Sequence, residues 1–189
     1  VAFVPQQGPA TVELSARDYV LLGRLARKGS LAGPSAADRD AAQAALQRLG
    51  VQALADRPLH RLSGGERQLV GIARALAQQA RVLILDEPAS SLDFGNQGRL
   101  LARLEALAAE GFAVLFSTHQ PAHAHRLAAR VLAIDGRGGS RFGPADEVLT
   151  GEVLSAIYRT RVERLERPGG APVFLAEGEQ GIGPAGPLE

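Results

Sequence analysis

Two carboxylates follow an apolar run in the middle of the chain, where residues 82–88 read VLILDEP. The apolar run predicts a strand buried on both faces, as in a parallel sheet, and open α/β sheets bind ligands at the carboxyl ends of such strands. There, Asp86 can hold a magnesium ion through water, and Glu87 can orient and deprotonate an attacking water. The competing interpretation is an acidic N-cap of a helix after an ordinary strand.

A glycine-rich turn lies upstream of that strand, at residues 62–68, which read LSGGERQ. Ser63 and Glu66 have the spacing of a capping box, so Ser63 is predicted to be the N-cap of a helix. Gly64 and Gly65 let the backbone approach a phosphate, and the helix N-terminus offers free N–H groups and a positive dipole. The competing interpretation is a plain glycine turn that Ser63 caps.

Three further polar residues lie on predicted loops or strand ends. Gln6 follows an apolar run and Pro5, Asp93 ends the loop SSLD, and His119 ends the segment STH directly after the apolar run at 112–116.

Three histidines in the stretch HQPAHAH, namely His119, His123 and His125, raise the alternative of a metal site. Pro121 is predicted to begin a helix between the first two, which leaves His119 outside that helix. No acidic or cysteine ligand completes the set, so a histidine metal site is disfavoured.

The five motifs VPQ, LSGGERQ, VLILDEP, SSLD and STH occur in an order and on elements that resemble the ATPases of the ATP-binding cassette (ABC) family, over about residues 1–158. The resemblance implies ATP and Mg²⁺ as cofactors. It implies that Glu87 and His119 are catalytic and that Asp86 and Gln6 hold the magnesium ion. Gln7 is the alternative to Gln6, one position along.

The same resemblance implies a head-to-tail dimer, in which a second ATPase subunit holds ATP against the LSGGERQ segment of the first. The residues that it assigns to cofactor binding are Gln6, Ser63, Gly64, Gly65, Glu66 and Asp93.

Strands that alternate with helices predict an α/β fold with a mostly parallel sheet, and the resemblance makes it P-loop NTPase-like with a small α-helical subdomain. We expect a core strand and the loop that carries Gln6, which is the Q-loop of the family, at 1–14. We expect the helical subdomain at 15–61, the ATPase core at 62–158 and a tail at 159–189. The predicted strands are 1–4, 82–85, 112–116, 131–134 and a possible one at 172–175. Two predicted helices begin near Ser15 and Ser63. The others span 36–49, 96–110, 122–129, 144–149 and 152–158.

Composition narrows the function classes. The formal net charge is +1, which gives no global field for nucleic acid or an anionic membrane, and the absence of cysteine excludes disulfides and thiolate metal sites. No apolar stretch approaches the roughly 18–20 residues of a transmembrane helix, and no signal peptide is recognised.

The absence of fused membrane spans favours an importer subunit of a bacterium over an exporter, and the absence of a long heptad segment disfavours DNA-repair relatives. The segments YVLLGR, THQPAHA and GPADEVLTGEVLSAIY resemble the iron-siderophore, haem, cobalamin and molybdate importer group. This implies that transmembrane permease subunits dock through about residues 6–31, that a periplasmic or extracellular binding protein is an indirect partner, and that nucleic acid is not a partner. It also implies a peripheral protein on the cytoplasmic face of the inner or plasma membrane.

The phosphate-binding pattern GxxxxGK[ST] and methionine are both absent from the chain, so we expect an N-terminally truncated ATPase. By the family's topology, the phosphate-loop strand would lie between the strand ending at Thr118 and the strand at 131–134. The alternative is a non-catalytic remnant or regulatory partner that dimerises without binding ATP productively. A phosphate loop encoded upstream of Val1 supports the first hypothesis, and a start codon near Val1 supports the second.

We expect the 189-residue chain alone to be poorly stable and not to hydrolyse ATP. The reason is that loss of a central strand leaves two unpaired edges within the sheet. Phosphate release from MgATP by the purified chain is the measurement, and robust magnesium-dependent turnover would contradict the expectation.

Overall fold

A computed structural model describes residues 1–6, 13–25 and 33–177. The chain forms two compact units, one spanning Val1–His119 and one that begins at Gln120. Gln7, residues 8–12 and 26–31 of the predicted permease-docking segment, and the end of the predicted tail lie outside the described residues. None of the described helices is both long and apolar enough to cross a bilayer.

Three parallel strands form the sheet of the first unit. They are β1 (Ala2–Val4), β2 (Val82–Leu85) and β3 (Ala113–Phe116), in the order β1-β2-β3. Val4 pairs with Leu85, and Leu85 pairs with Phe116, so all three strands end at the same level. The predicted parallel α/β arrangement is confirmed for these strands.

Four helices accompany this sheet, at or near their predicted positions: α1 (Ala16–Leu25), α2 (Ala36–Arg48), α3 (Gly64–Ala77) and α4 (Phe94–Ala109). Helices α1, α2 and α3 pack against one another, and short 3-10 turns at Gln52–Leu54 and Leu59–Arg61 lead from α2 to α3. Ser15 accepts a hydrogen bond from the Asp18 amide at 3.1 Å, as its predicted cap position requires.

One face of the sheet is buried and the other is not. Helix α3 packs beside Val4, and Leu83 and Leu85 are fully buried on that face. On the opposite face, Phe3, Ile84 and Leu115 form one row across the strands, with Phe3 54% and Leu115 63% exposed. The prediction that the strand at 82–85 is buried on both faces is therefore wrong within the described residues, because Val82 is 36% exposed and Ile84 is only half-buried.

The second unit contains two antiparallel strand pairs. Strand β4 (Arg130–Ile134) pairs with β5 (Ser140–Pro144), and β6 (Val162–Leu165) pairs with β7 (Val173–Ala176). The turn DGRGG at 135–139 folds the chain back, so that among the described residues β4 pairs with β5 alone. The position of strand 131–134 beyond a phosphate-loop strand stays a prediction. Strands β5 and β6 were not predicted, whereas β7 confirms the possible strand at 172–175.

Three short helices complete this unit: α5 (Pro121–Leu127), α6 (Ala145–Val148) and α7 (Gly151–Tyr158). Its small apolar core is built from residues of these helices, of β6 and of the position directly after α6, namely Ala124, Ala145, Leu149, Leu154 and Val162.

A buried ion pair joins the helices of the first unit. The Arg24 guanidinium in α1 lies 3.1 Å from the Asp38 carboxylate in α2 and donates to the Ala77 carbonyl at the end of α3 at 2.9 Å. The Asp38 side chain is 3% exposed and also takes part in a capping box with Ser35. One carboxylate therefore begins α2 and fixes it to its neighbour.

Replacing Asp38 by alanine is expected to lower the free energy of unfolding by about 3 kcal/mol, because Arg24 is left buried without its counter-charge. Asp40→Ala on the same helix, where the side chain is exposed, is the matched control and should change it by less than about 0.5 kcal/mol. Urea unfolding of both variants of the intact protein provides the comparison. Equal effects of the two substitutions would show that the ion pair is not what holds α1 to α2.

Candidate functional site

Four predicted site residues meet where the three parallel strands end. Gln6 follows β1, Asp86 and Glu87 follow β2, and His119 follows β3. Backbone hydrogen bonds extend the ladder one step past the strands, from the Asp86 amide to the Val4 carbonyl at 2.9 Å. The level at which each polar residue leaves the sheet is therefore fixed by strand pairing.

The Glu87 carboxylate is the centre of this group. Gln6 Nε2 donates to its Oε2 at 3.0 Å, and His119 Nδ1 lies 3.2 Å from its Oε1. One side-chain partner on each oxygen fixes the plane of the carboxylate. A carboxylate oriented in this way at a partly open strand end can accept a proton from a water molecule.

Asp86 beside it is held by a residue to which the sequence assigned no role. Ser117 Oγ donates to Asp86 Oδ1 at 2.7 Å and accepts from the Glu87 amide at 2.8 Å. The competing interpretation of the acidic pair as a helix N-cap is wrong, because a turn follows it and the next helix begins only at Phe94.

The oxygens available at this edge fit a magnesium ion. Asp86 Oδ2 and Gln6 Oε1 have no hydrogen-bond partner in the described part of the chain. Magnesium prefers such oxygen donors and retains several waters. The two predicted metal-binding residues therefore offer a suitable donor set, with Asp86 held by Ser117 and Gln6 by Glu87.

Ser90 is a second contributor that sequence reasoning missed. Its hydroxyl donates to the Glu87 carbonyl at 3.0 Å and accepts from Gln6 Nε2 at 3.3 Å. The only signal in the sequence was its position in the SSLD motif. Ser90 supports both the backbone of Glu87 and the amide that contacts its carboxylate.

The LSGGERQ segment forms the predicted capping box at the start of α3. Glu66 N donates to Ser63 Oγ at 3.2 Å, and Ser63 N donates to Glu66 Oε2 at 2.8 Å. Amides in the first turn of a helix, here those of Gly64 and Gly65, have no intrahelical acceptor. They give this loop the capacity to bind an anion.

The SSLD turn packs directly against this loop. A Cβ added at Gly65 would collide with the Leu92 side chain, and one added at Gly64 would touch Ser91 at 3.7 Å. Gly65 is therefore required by the close approach of the turn, whereas Gly64 has room for a methyl group.

Two predicted nucleotide-binding carboxylates are engaged within the protein. Asp93 is the N-cap of α4, where its Oδ1 accepts from the Asn96 amide at 2.8 Å. Hydrogen bonding from that amide lowers the pKa of the Asp93 carboxyl. Glu66 is held by Ser63 and by Arg57, whose NH1 lies 3.2 Å from Oε1, and the Ser63 backbone hydrogen bond is the largest cause of a lowered pKa at Glu66.

The three histidines of HQPAHAH have different surroundings. His119 contacts Glu87, whereas His125 Nε2 lies 3.0 Å from Asp146 Oδ1 and His123 is nearly buried. Helix α5 begins at Pro121, which confirms the position predicted for it and leaves His119 outside. Among the described residues no group of three histidine, cysteine, aspartate or glutamate side chains could hold a metal ion.

Comparisons with known proteins show which proteins this chain is similar to. The ABC transporter family profile matches residues 1–90. An uncharacterized ABC transporter ATP-binding protein of Haemophilus influenzae is 44% identical over 88% of this chain and 64% of its own length. The molybdate import ATP-binding protein MolC of the same organism is 38% identical over 84% of this chain and 62% of its own length.

A solved structure described as an inward-facing, metal-chelate type ABC transporter matches with a TM-score of 0.88 and 32% identity, over 94% of this chain and 72% of that chain. The chain spans a little under two thirds of the length of the two Haemophilus relatives named above.

The capping box predicts a pH dependence of stability. Because the pKa of Glu66 is lowered in the folded protein, its stabilising contribution is present above its ordinary pKa and is lost as the pH falls through the lowered value. Glu66→Gln keeps an acceptor for the Ser63 amide but does not titrate. The difference in unfolding free energy between the wild type and this variant should shrink as the pH is lowered from neutral, measured by urea unfolding. A difference that does not vary with pH would contradict this role of the carboxylate.

Proposed function

The chain belongs to the ABC transporter family, and from that membership we propose that it forms the core of an ATP-hydrolysing subunit of a bacterial importer. The observation that carries the proposal is the position of Glu87, held between Gln6 and His119 at the ends of three parallel strands. Magnesium and ATP are the proposed cofactors, since Asp86 and Gln6 offer suitable oxygen donors. When bound, MgATP supplies the phosphoryl group and the metal neutralises charge on its oxygens.

Glu87, His119 and Asp86 have different proposed roles at this site. Glu87 orients the attacking water and takes its proton, because its carboxylate is fixed on both oxygens and is only partly exposed. His119 contacts the same carboxylate through Nδ1. Its imidazole ring would also contact the transferred phosphoryl group. Asp86 would hold the metal ion, while Ser117 Oγ donates to its Oδ1 and fixes the carboxylate.

In this proposal the LSGGERQ segment contacts a second nucleotide. Ser63, Gly64, Gly65 and Glu66 would face ATP held by a second ATPase subunit in a head-to-tail dimer, with the free amides of the first turn of α3 binding a phosphate. The SSLD turn supports this, since Ser90 contacts the catalytic group while Leu92 packs on the loop. Asp93 would affect nucleotide binding only by fixing the SSLD turn, because its carboxylate caps α4.

The proposed partners are transmembrane permease subunits that dock through about residues 6–31, which include Gln6 and the first part of the helical region. A periplasmic or extracellular binding protein would act indirectly, and the subunit would lie peripherally on the cytoplasmic face of the membrane. The cargo we propose is a metal chelate or an oxyanion, of the iron-siderophore, haem, cobalamin or molybdate type. It is supported by likeness to a molybdate import protein and a metal-chelate type transporter.

Glu87→Gln in the intact protein is expected to lower phosphate release from saturating MgATP by about 10²- to 10⁴-fold, the usual effect of losing a general base. ATP binding should remain, because the amide keeps the size of the side chain and one acceptor oxygen. Phosphate release and equilibrium binding of a fluorescent ATP analogue measure the two effects separately.

Glu147→Gln, an exposed substitution of the same type in α6, is the matched control and should turn over ATP as the wild type does. Wild-type turnover by Glu87→Gln would overturn the assignment of the base. Failure of the intact wild type to bind ATP would instead favour the non-catalytic, regulatory partner.

A further inference from the structure

The backbone at Glu87 adopts a conformation that its own sequence does not favour. Its φ is 40°, in the left-handed region that residues with a side chain rarely adopt. The next residue is the fully buried Pro88, and a residue that precedes proline normally prefers extended backbone. Such a conformation persists only where the surrounding contacts determine it.

Ser117 makes the contact that holds this turn from the neighbouring strand. Its hydroxyl accepts from the Glu87 amide at 2.8 Å and donates to Asp86 Oδ1 at 2.7 Å. The donor of the hydroxyl and one of its acceptor positions are thus both used. Its own amide donates to the Leu85 carbonyl at 3.0 Å, so the serine backbone is itself anchored to β2.

We propose that Ser117 is a positioning residue for catalysis, which sets the Glu87 turn and the Asp86 carboxylate with one hydroxyl group. This inference rests on the proposed function, because it concerns the positioning of the proposed base and metal ligand. Ser117 itself need touch neither water nor nucleotide.

Two consequences follow for the neighbouring side chains. Holding the Glu87 amide sets the Cα position from which the carboxylate reaches both Gln6 and His119. Holding Asp86 Oδ1 leaves Oδ2 as the oxygen available to a metal. Because Ser117 and His119 are two residues apart, a single segment fixes both the backbone and the side chain of Glu87.

These contacts are expected to affect the site more than the stability of the protein. Ser117 is exposed, and substitution of an exposed serine usually has little effect on stability. The effect of removing its hydroxyl should therefore appear in the geometry of Asp86 and Glu87 more than in the folding of the protein.

The test compares Ser117→Ala with Ser117→Thr in the intact protein, because threonine keeps the hydroxyl and suits the end of a strand. Ser140→Ala in β5, also an exposed serine, is the matched control. We expect Ser117→Ala to lower kcat for ATP about tenfold with KM changed less than about twofold, since ground-state binding is retained. Ser117→Thr should restore most of kcat, and Ser140→Ala should match the wild type.

Amide hydrogen exchange of Glu87, followed by NMR, tests the contact without turnover. Exchange should be about tenfold faster in Ser117→Ala than in the wild type, because a protecting hydrogen bond is lost, and threonine should restore it. Unchanged kcat in Ser117→Ala, or unchanged Glu87 exchange, would overturn the inference. An intact wild type without ATPase activity would overturn the proposed function instead, and the exchange measurement would still decide whether Ser117 holds the turn.

Discussion

The parallel register of β1, β2 and β3 is the constraint on which the site depends. Val4, Leu85 and Phe116 end their strands side by side, and hydrogen bonds to Asp86 and Ser117 continue the ladder beyond them. A slip of one residue would turn each following side chain to the other face of the sheet. Gln6, Asp86, Glu87 and His119 would then no longer lie together, although all four were still present.

The four-residue turn after this edge joins two parts of the molecule that the sequence separates. Ser90 contacts the backbone of Glu87, Leu92 fills the space beside Gly65, and Asp93 caps α4. Because so few residues span these contacts, the turn has little freedom to move at one end without moving at the other. The carboxylate edge and the glycine loop are therefore mechanically connected within one chain.

Local features of the fold could be predicted, whereas features that depend on distant neighbours could not. The capping box of Ser63 and Glu66 and the strand at Val82–Leu85 follow from patterns a few residues long. The role of Ser117 depends on which strand lies beside β2. Burial has the same limitation, because an apolar run reports a preference for burial and not the presence of a covering layer. Leu115 is 63% exposed for that reason.

Glu66 and Asp93, both predicted to bind the nucleotide, use their carboxylates in hydrogen bonds within the chain. The carboxylate of each accepts a backbone amide at the start of a helix, at 2.8 Å in both cases, and each is held in its ionised form by that bond. A carboxylate beside a nucleotide phosphate would add repulsion between like charges. Engaged in a cap, it offsets the positive end of the helix only in part and fixes the backbone that presents the remaining amides. Both carboxylates therefore fix the shape of the loops they close.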